Sequence, residues 1–178
     1  MKIERLLVVD DPAEGGRLWS FYDGVFRRVN EQTPISQSYP ETNFRAFLTN
    51  GRVVKYVGRE EGGDIVGLGL ATDDLGLEPM LSPAYFSAHY RERPILYIVA
   101  LAVRRDRRGR DIAAGILKAM INEVPQNGAL VFFHSKLVNP LLPKLAISVG
   151  VANHCEGGEI DAEGCCVYRW KDGKKVKL

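Results

Sequence analysis

The sequence predicts a mixed α/β (α+β) domain, and three observations carry that prediction. Apolar patterns of period two and period 3.6 alternate along the chain in the order β, α, α, β, β, β, α, β, α, β. The run from Ile95 to Val103 is apolar or aromatic throughout, which implies a strand covered on both faces and therefore central in a sheet. Apolar residues make up 46% and charged residues 26% of the 178 positions. Those are globular averages, so a real core is expected and disorder is excluded. At about 100 to 200 residues per domain, residues 1–178 read as one domain.

The elements follow in order. Ile3 to Val9 is a β-branched strand, closed by Asp10-Asp11-Pro12, where Pro suits a first helical turn. Leu18, Phe21, Tyr22, Val25, Phe26 and Val29 then share one helical face. Phe44, Phe47 and Leu48 suggest a short second helix, with Gly51 as a left-handed C-terminal cap. Val53 to Glu60 and Ile65 to Ala71 are strands joined by Glu61-Gly62-Gly63-Asp64, a hairpin signal. The connection from Thr72 to Pro94 is too long to be structureless, and Ser82-Pro83 is placed to cap a short helix through Tyr90. After the central strand, a helix is expected over Asp111 to Glu123, with Pro125 marking its end. Ala129 to His134 is a buried strand, Asn139-Pro140 opens a helix ending near Gly150, and Cys165 to Lys171 closes the chain as a strand.

Lys plus Arg number 24 against 22 Asp plus Glu, a net charge of +2. No global field demands a nucleic acid or an anionic membrane. The longest apolar run is far short of the roughly 20 residues of a membrane span, and Met-Lys-Ile-Glu does not open a signal peptide. A cytoplasmic protein is expected, with Cys155, Cys165 and Cys166 as free thiols, because their spacing suits neither a disulfide framework nor a metal knuckle. No metal is expected.

Charge is nevertheless concentrated. Between Arg104 and Arg110 lie five Arg and one Asp, a local net of +4, in a loop joining the apolar strand to the next helix. The unpaired N–H groups of a helix start carry the positive end of its dipole, and guanidinium forks match phosphate oxygens. A solvated basic turn is the plainer alternative. The terminal run from Lys171 to Lys177, four Lys against one Asp, is read as a solvated tail, which leaves −5 for the rest of the chain. Such a distribution suits a small polyanion better than a polymer.

In this setting Arg108-Gly109-Arg110-Asp111-Ile112-Ala113 resembles the signature R/Q-x-x-G-x-G/A of the GNAT superfamily, the acyl-CoA-dependent N-acyltransferases. The order of elements from residue 3 to about 170 agrees with that family. The resemblance implies a mostly antiparallel mixed sheet flanked by helices, with the fourth and fifth strands splayed to form a cleft for acetyl-CoA. It also implies that the backbone of Leu101, Ala102 and Val103 pairs with the pantetheine amides and that the amides from Arg108 to Ala113 hold the pyrophosphate. Asn139 would contact the pantetheine arm, or serve as an ordinary N-cap, or do both.

The sequence departs from the family at three places. Asp111 replaces the first Gly of the signature, setting a carboxylate near a phosphate or, as a helix cap, pointing away from it. The frequent general-acid Tyr falls on Ala146, and the central-strand carboxylate falls on Val99 or Ala100. An amine must lose a proton before it attacks a thioester. Remaining catalytic candidates are His134, Ser135 and Glu78, with Asp73 and Asp74 nearby in sequence; Cys155 as an acyl carrier lacks any readable His partner. Tyr39, Tyr85, Phe86, His89 and Tyr90 beside those carboxylates would suit a cationic amine. The resulting expectation is an acetyl-CoA-dependent N-acetyltransferase acting on a small-molecule amine or a protein amino group, as a monomer or homodimer. A catalytically weak CoA-binding or sensor domain on the same fold is the alternative.

Overall fold

The computed structural model describes residues 1–31, 38–79, 81–91, 93–107, 111–125, 127–133, 144–146, 148–149, 155–159 and 165–170. Its strands are β1 (Lys2–Leu6), β2 (Val53–Arg59), β3 (Ile65–Thr72), β4 (Ile95–Val103), β5 (Ala129–Phe133), β6 (Cys155–Glu159) and β7 (Cys165–Trp170). They form one sheet in the order β1-β2-β3-β4-β5-β7-β6. Only the β4–β5 pair is parallel; the other neighbours run antiparallel. The helices are α1 (Pro12–Asn30), α2 (Glu41–Thr49), α3 (Pro83–His89) and α4 (Ile112–Ile121). Residues 144–146 and 148–149 are also helical.

Local chemistry explains most boundaries. Asp11 caps α1 by accepting from the Ala13 and Glu14 amides, with Pro12 in the first turn. Ser82 caps α3 by accepting from the Tyr85 amide. Three expectations need correction. β1 ends at Leu6 rather than Val9, because the Val9 amide turns to the Leu48 carbonyl instead of continuing the ladder. Gly51 is not a left-handed cap: α2 ends through Asn50, whose amide bonds the Ala46 carbonyl, and among the described residues the one glycine with positive φ is Gly63 in the hairpin turn. β6, with two glycines in five residues, carries too little apolar pattern to be read as a strand, and it exists by pairing with β7.

α1 and α2 cover one face of the sheet, packing Leu18, Tyr22, Phe44 and Leu48 over Val53, Val57, Leu68 and Leu70. α4 covers the other, with Ile112, Ile116, Leu117 and Met120 over Tyr56, Val66 and Ile98. α3 adds Phe86, and the segment before it Leu81, against Tyr97, Ala129 and Val131. Side chains alternate faces along a strand, so burial reports register. In β4 the alternation breaks: Ile98 faces α4, Val99 and Ala100 both face the α1–α2 side, and Leu101 returns to α4. The backbone agrees, since Leu70 pairs with Ala100 while Ala71 pairs with Ile98. Val99 is thus the extra residue of a β-bulge.

α4 lies close on β3 because two positions there have no side chain. A Cβ on Gly67 would stand 2.6 Å from Ile112 Cγ2, and one on Gly69 would stand 2.6 Å from Ile116 Cγ2. Gly69→Val should destabilise the fold by about 1–3 kcal/mol through this overpacking, measurable by urea denaturation.

Lys55 is fully buried on the α1–α2 face, where its Nζ donates to the Leu7 carbonyl at 2.7 Å and the Asn50 carbonyl at 2.9 Å. It ties the end of β1 to the end of α2. Burial pushes its pKa down to about 8, below the unfolded value of about 10.4. The unfolded chain therefore holds the proton longer, and stability rises as pH climbs from about 8 towards 10. Above that window Tyr22, raised by burial to about 12, acts in the opposite sense. A stability gain of up to about 3 kcal/mol is expected across pH 8 to 10, and Lys55→Met should flatten it in urea titrations at stepped pH.

Candidate functional site

The bulge opens the sheet. Pairing between β4 and β5 runs from Ile95–Ala129 to Ile98–Phe132 and stops there, although β4 continues to Val103. On its other edge β4 stays paired with β3 through Val103–Gly67. Leu101, Ala102 and Val103 therefore belong to a stretch whose β5-side backbone edge has no strand partner among the described residues. Unpaired edges of this kind recruit extended ligands by strand addition. The stretch leads into a 3-10 turn, Arg105–Arg107, and then to the start of α4.

The turn is less positive than its composition suggests. Arg104 reaches Glu60 at 3.4 Å and Asp106 at 2.9 Å, and Arg107 reaches Glu60 at 2.9 Å. Two of the five arginines are turned back onto the β2–β3 hairpin, which corrects the expectation of a free +4 cluster. Glu60 was not singled out by sequence, because nothing local marks a pairing across more than 40 residues. Its effect is to brace the turn from behind.

Asp111 has φ +57°, in the left-handed region, and is the only described non-glycine residue with positive φ. Asp is among the few residues that tolerate this conformation, which glycine adopts freely. That explains why the family signature has glycine at this position. The side chain makes no capping bond, contrary to the expected N-cap role, while its carbonyl accepts from the Gly115 amide at 2.8 Å. The carboxylate is exposed. Ile112 and Ala113 follow as the first turn of α4, with Ile112 anchored in the core. Arg108, Gly109, Arg110, His134, Ser135 and Asn139 lie outside the described residues.

On the α1–α2 side, the three acidic candidates divide. Asp73 and Asp74 pair with Arg52 at 3.0 and 2.8 Å near the surface. Glu78 turns inward, 6% exposed, and its Oε2 accepts from the Tyr39 hydroxyl and, at 3.2 Å, from the Tyr97 hydroxyl. Burial first, and Glu78 second, raises the Tyr39 phenol far above its usual range. The Tyr39 amide donates to Tyr22 Oη at 2.9 Å. Of the expected aromatics, Phe86 and Tyr90 line an open groove of about 630 Å³ with Asp73, Arg91, Arg93 and Ile95. Tyr85 and His89 stack on each other at 4.4 Å instead. Ala146 is buried against the α4 cluster.

The GNAT acetyltransferase family model matches residues 19–140. The chain belongs to the GNAT family. No curated protein sequence matches it, but solved structures do. A GNAT acetyltransferase from Listeria monocytogenes aligns at TM-score 0.60 and 12% identity, covering 93% of this chain and 92% of that one. The diaminobutyrate acetyltransferase EctA from Paenibacillus lautus, solved with L-2,4-diaminobutyric acid and coenzyme A, aligns at 0.57 and 14%, covering 94% and 93%. A ribosomal-protein-alanine N-acetyltransferase from Brucella melitensis aligns at 0.55 and 12%, covering 84% and 91%. At these identities the likeness is one of fold.

Within this GNAT chain, sequence reasoning missed the bulge at Val99 and Tyr97 as well as Glu60. Tyr97 had a signal, as the single residue with a polar tip in the run Ile95–Val103. Replacing Asp111 by Gly should relieve the left-handed strain and stabilise the protein by about 1 kcal/mol in urea denaturation. An exposed carboxylate about 5 Å from a phosphate repels it by about 0.8 kcal/mol in water. Acetyl-CoA should accordingly bind about fourfold tighter to the variant by calorimetry.

Proposed function

We propose that the protein transfers an acetyl group from acetyl-CoA to a primary amine, by direct attack of the amine on the thioester. The observation that carries this reading is the edge of β4 beyond Ile98, which has no strand partner among the described residues and is followed in the chain by an arginine turn and the start of α4. In it, the backbone of Leu101, Ala102 and Val103 pairs with the pantetheine amides in the manner of an added strand. The amides from Arg108 to Ala113 receive the pyrophosphate, where the dipole of α4 favours negative charge. The left-handed residue at Asp111 supports this, because a right-handed residue beside a left-handed one turns successive N–H groups towards a common anion. Asn139 contacts the pantetheine arm. No metal takes part, and the acetyl carbon is attacked from the α1–α2 side.

The acceptor is a small-molecule amine or a protein amino group. Structural neighbours described as acting on diaminobutyrate and on a ribosomal-protein alanine span both kinds. A cytoplasmic location agrees with an acetyl-CoA donor, and among the described residues no helix is long and apolar enough to cross a membrane.

One specific observation favours a second reading, a CoA-binding sensor with little turnover: Ala146, at the frequent general-acid position, is packed into the core and offers no proton. Thermal shift decides whether CoA binds at all. Acetyl-CoA at about a hundred times its Kd should add about 2.7 kcal/mol, or about 5 to 10 °C, with no shift from a nucleotide control. No shift with any acyl-CoA would sink both readings. Thiol release from acetyl-CoA over a panel of alkyl amines then separates them, turnover supporting the transferase and binding alone the sensor.

A further inference from the structure

Three polar side chains are buried among the described residues: Lys55, Thr72 and Glu78. Lys55 joins two element ends, and the Thr72 hydroxyl accepts from the Asp74 amide at 3.0 Å. Glu78 differs from both. Its carboxylate oxygen is met by two phenol hydroxyls from separate elements, one just before α2 and one on β4. Tyr97 lies two residues before the bulge at Val99, on the same face of the sheet, and beside the last β4–β5 pair at Ile98. Val99 packs against both the α1–α2 cluster and the α3 cluster. Tyr39 and Leu77 belong to the first cluster, and Leu75 and Tyr97 to the second. Glu78, next to Leu77 in the chain and bonded to both tyrosines, sits where the two clusters meet, one residue from the last β4–β5 pair through Tyr97.

We propose that Glu78, held by Tyr39 and Tyr97, is the group that takes the proton from the acceptor amine. This assignment rests on the transferase reading above. An alkyl amine at neutral pH is an ammonium ion with no lone pair to attack with. A carboxylate removed from bulk water attracts that cation more strongly than one at the surface, and it lies beside the sheet edge where the thioester would be. Asp73 and Asp74, which lie nearer the surface, do not offer this.

The step balances. Glu78 takes one ammonium proton and becomes a neutral acid, and the freed lone pair forms the C–N bond to the thioester carbonyl. Collapse of the adduct breaks the C–S bond, and one of the two protons on the cationic nitrogen passes to the departing thiolate. The products are the amide and free CoA thiol; Glu78 returns its proton to water. Tyr39 does not compete as the base, since its buried phenol holds its own proton.

The test measures thiol release by the full chain with acetyl-CoA and two acceptor types. One is the alkyl amine panel; the other is an aryl hydrazine, whose low basicity leaves it neutral at neutral pH. Glu78→Gln should lose about 100- to 1,000-fold in kcat/KM on alkyl amines. On the hydrazine it should lose less than about tenfold, and the thermal shift with acetyl-CoA should persist. A loss within about threefold on alkyl amines, or an equal loss on both acceptors, overturns the assignment while leaving wild-type turnover, and hence the transferase reading, intact. If Glu78→Gln shows no cooperative unfolding, Tyr97→Phe replaces it: a loss confined to alkyl amines supports the assignment, and an equal loss on both overturns it. A wild-type protein that binds acetyl-CoA yet releases thiol with no acceptor removes the transferase reading and this assignment together.

Discussion

The extra residue in β4 is the constraint from which the candidate site grows. With Val99 inserted, two successive side chains turn to the α1–α2 face, and the pairing with β5 ends at Ile98 and Phe132. β3 holds the other edge of β4 throughout, so only the β5 side is left without a strand partner among the described residues. Beyond the bulge, the β5-side backbone groups find no strand partner among the described residues, and a buried backbone group without a partner is costly. A ligand with amide groups spaced along an extended chain satisfies such an edge. The same inserted residue sets the face on which Tyr97 and Ala100 lie, and so brings the cleft and the Glu78 cluster to one place.

Electrostatics around the turn follow a different logic from the one its composition suggests. Five arginines in seven residues would repel one another if all pointed to solvent. Glu60, Asp106 and Asp64 take up Arg104 and Arg107, which fixes the turn against the β2–β3 hairpin. Exposed pairs of this kind contribute little each, about 0–1 kcal/mol, but three carboxylates acting on two guanidinium groups hold a geometry. The turn that precedes α4 is therefore braced before any anion arrives. Preorganisation of this sort lowers the entropy lost on binding.

What sequence could and could not reveal divides along physical lines. Strands β2 to β5 and helices α1 to α4 were legible because each buries a face with a regular period or begins at a cap such as Asp11 or Ser82. The arginine turn was legible because its residues are contiguous. β6 was not, since its glycines give no period and its partner lies in β7. The end of β1 was misplaced because Leu7 and Val8 read as core, whereas the structure leaves both exposed. The bulge at Val99, the Glu60 brace and the bond from Tyr97 to Glu78 depend on pairings between distant segments. Glu78 itself was a candidate, but only the structure separates it from Asp73 and Asp74, by turning it inward while Arg52 holds the other two outside.

The energetics of Glu78 bear on why such a residue is there. Taking a carboxylate out of water costs several kcal/mol, and neutral hydroxyl donors return only part of that. A leucine at the same position would pack against Tyr97 and Leu77 with no desolvation to offset, so stability alone does not favour the carboxylate. Lys55 poses the same question and answers it differently, because its two carbonyl partners are the ends of β1 and α2, which without it would lack those donors. Among the partners of Glu78 are the hydroxyls of two tyrosines, both of which find apolar contacts in the core through their rings. A carboxylate buried beside a stretch of β4 that has no strand partner on its β5 side among the described residues is better accounted for by the proposed acceptor than by packing alone.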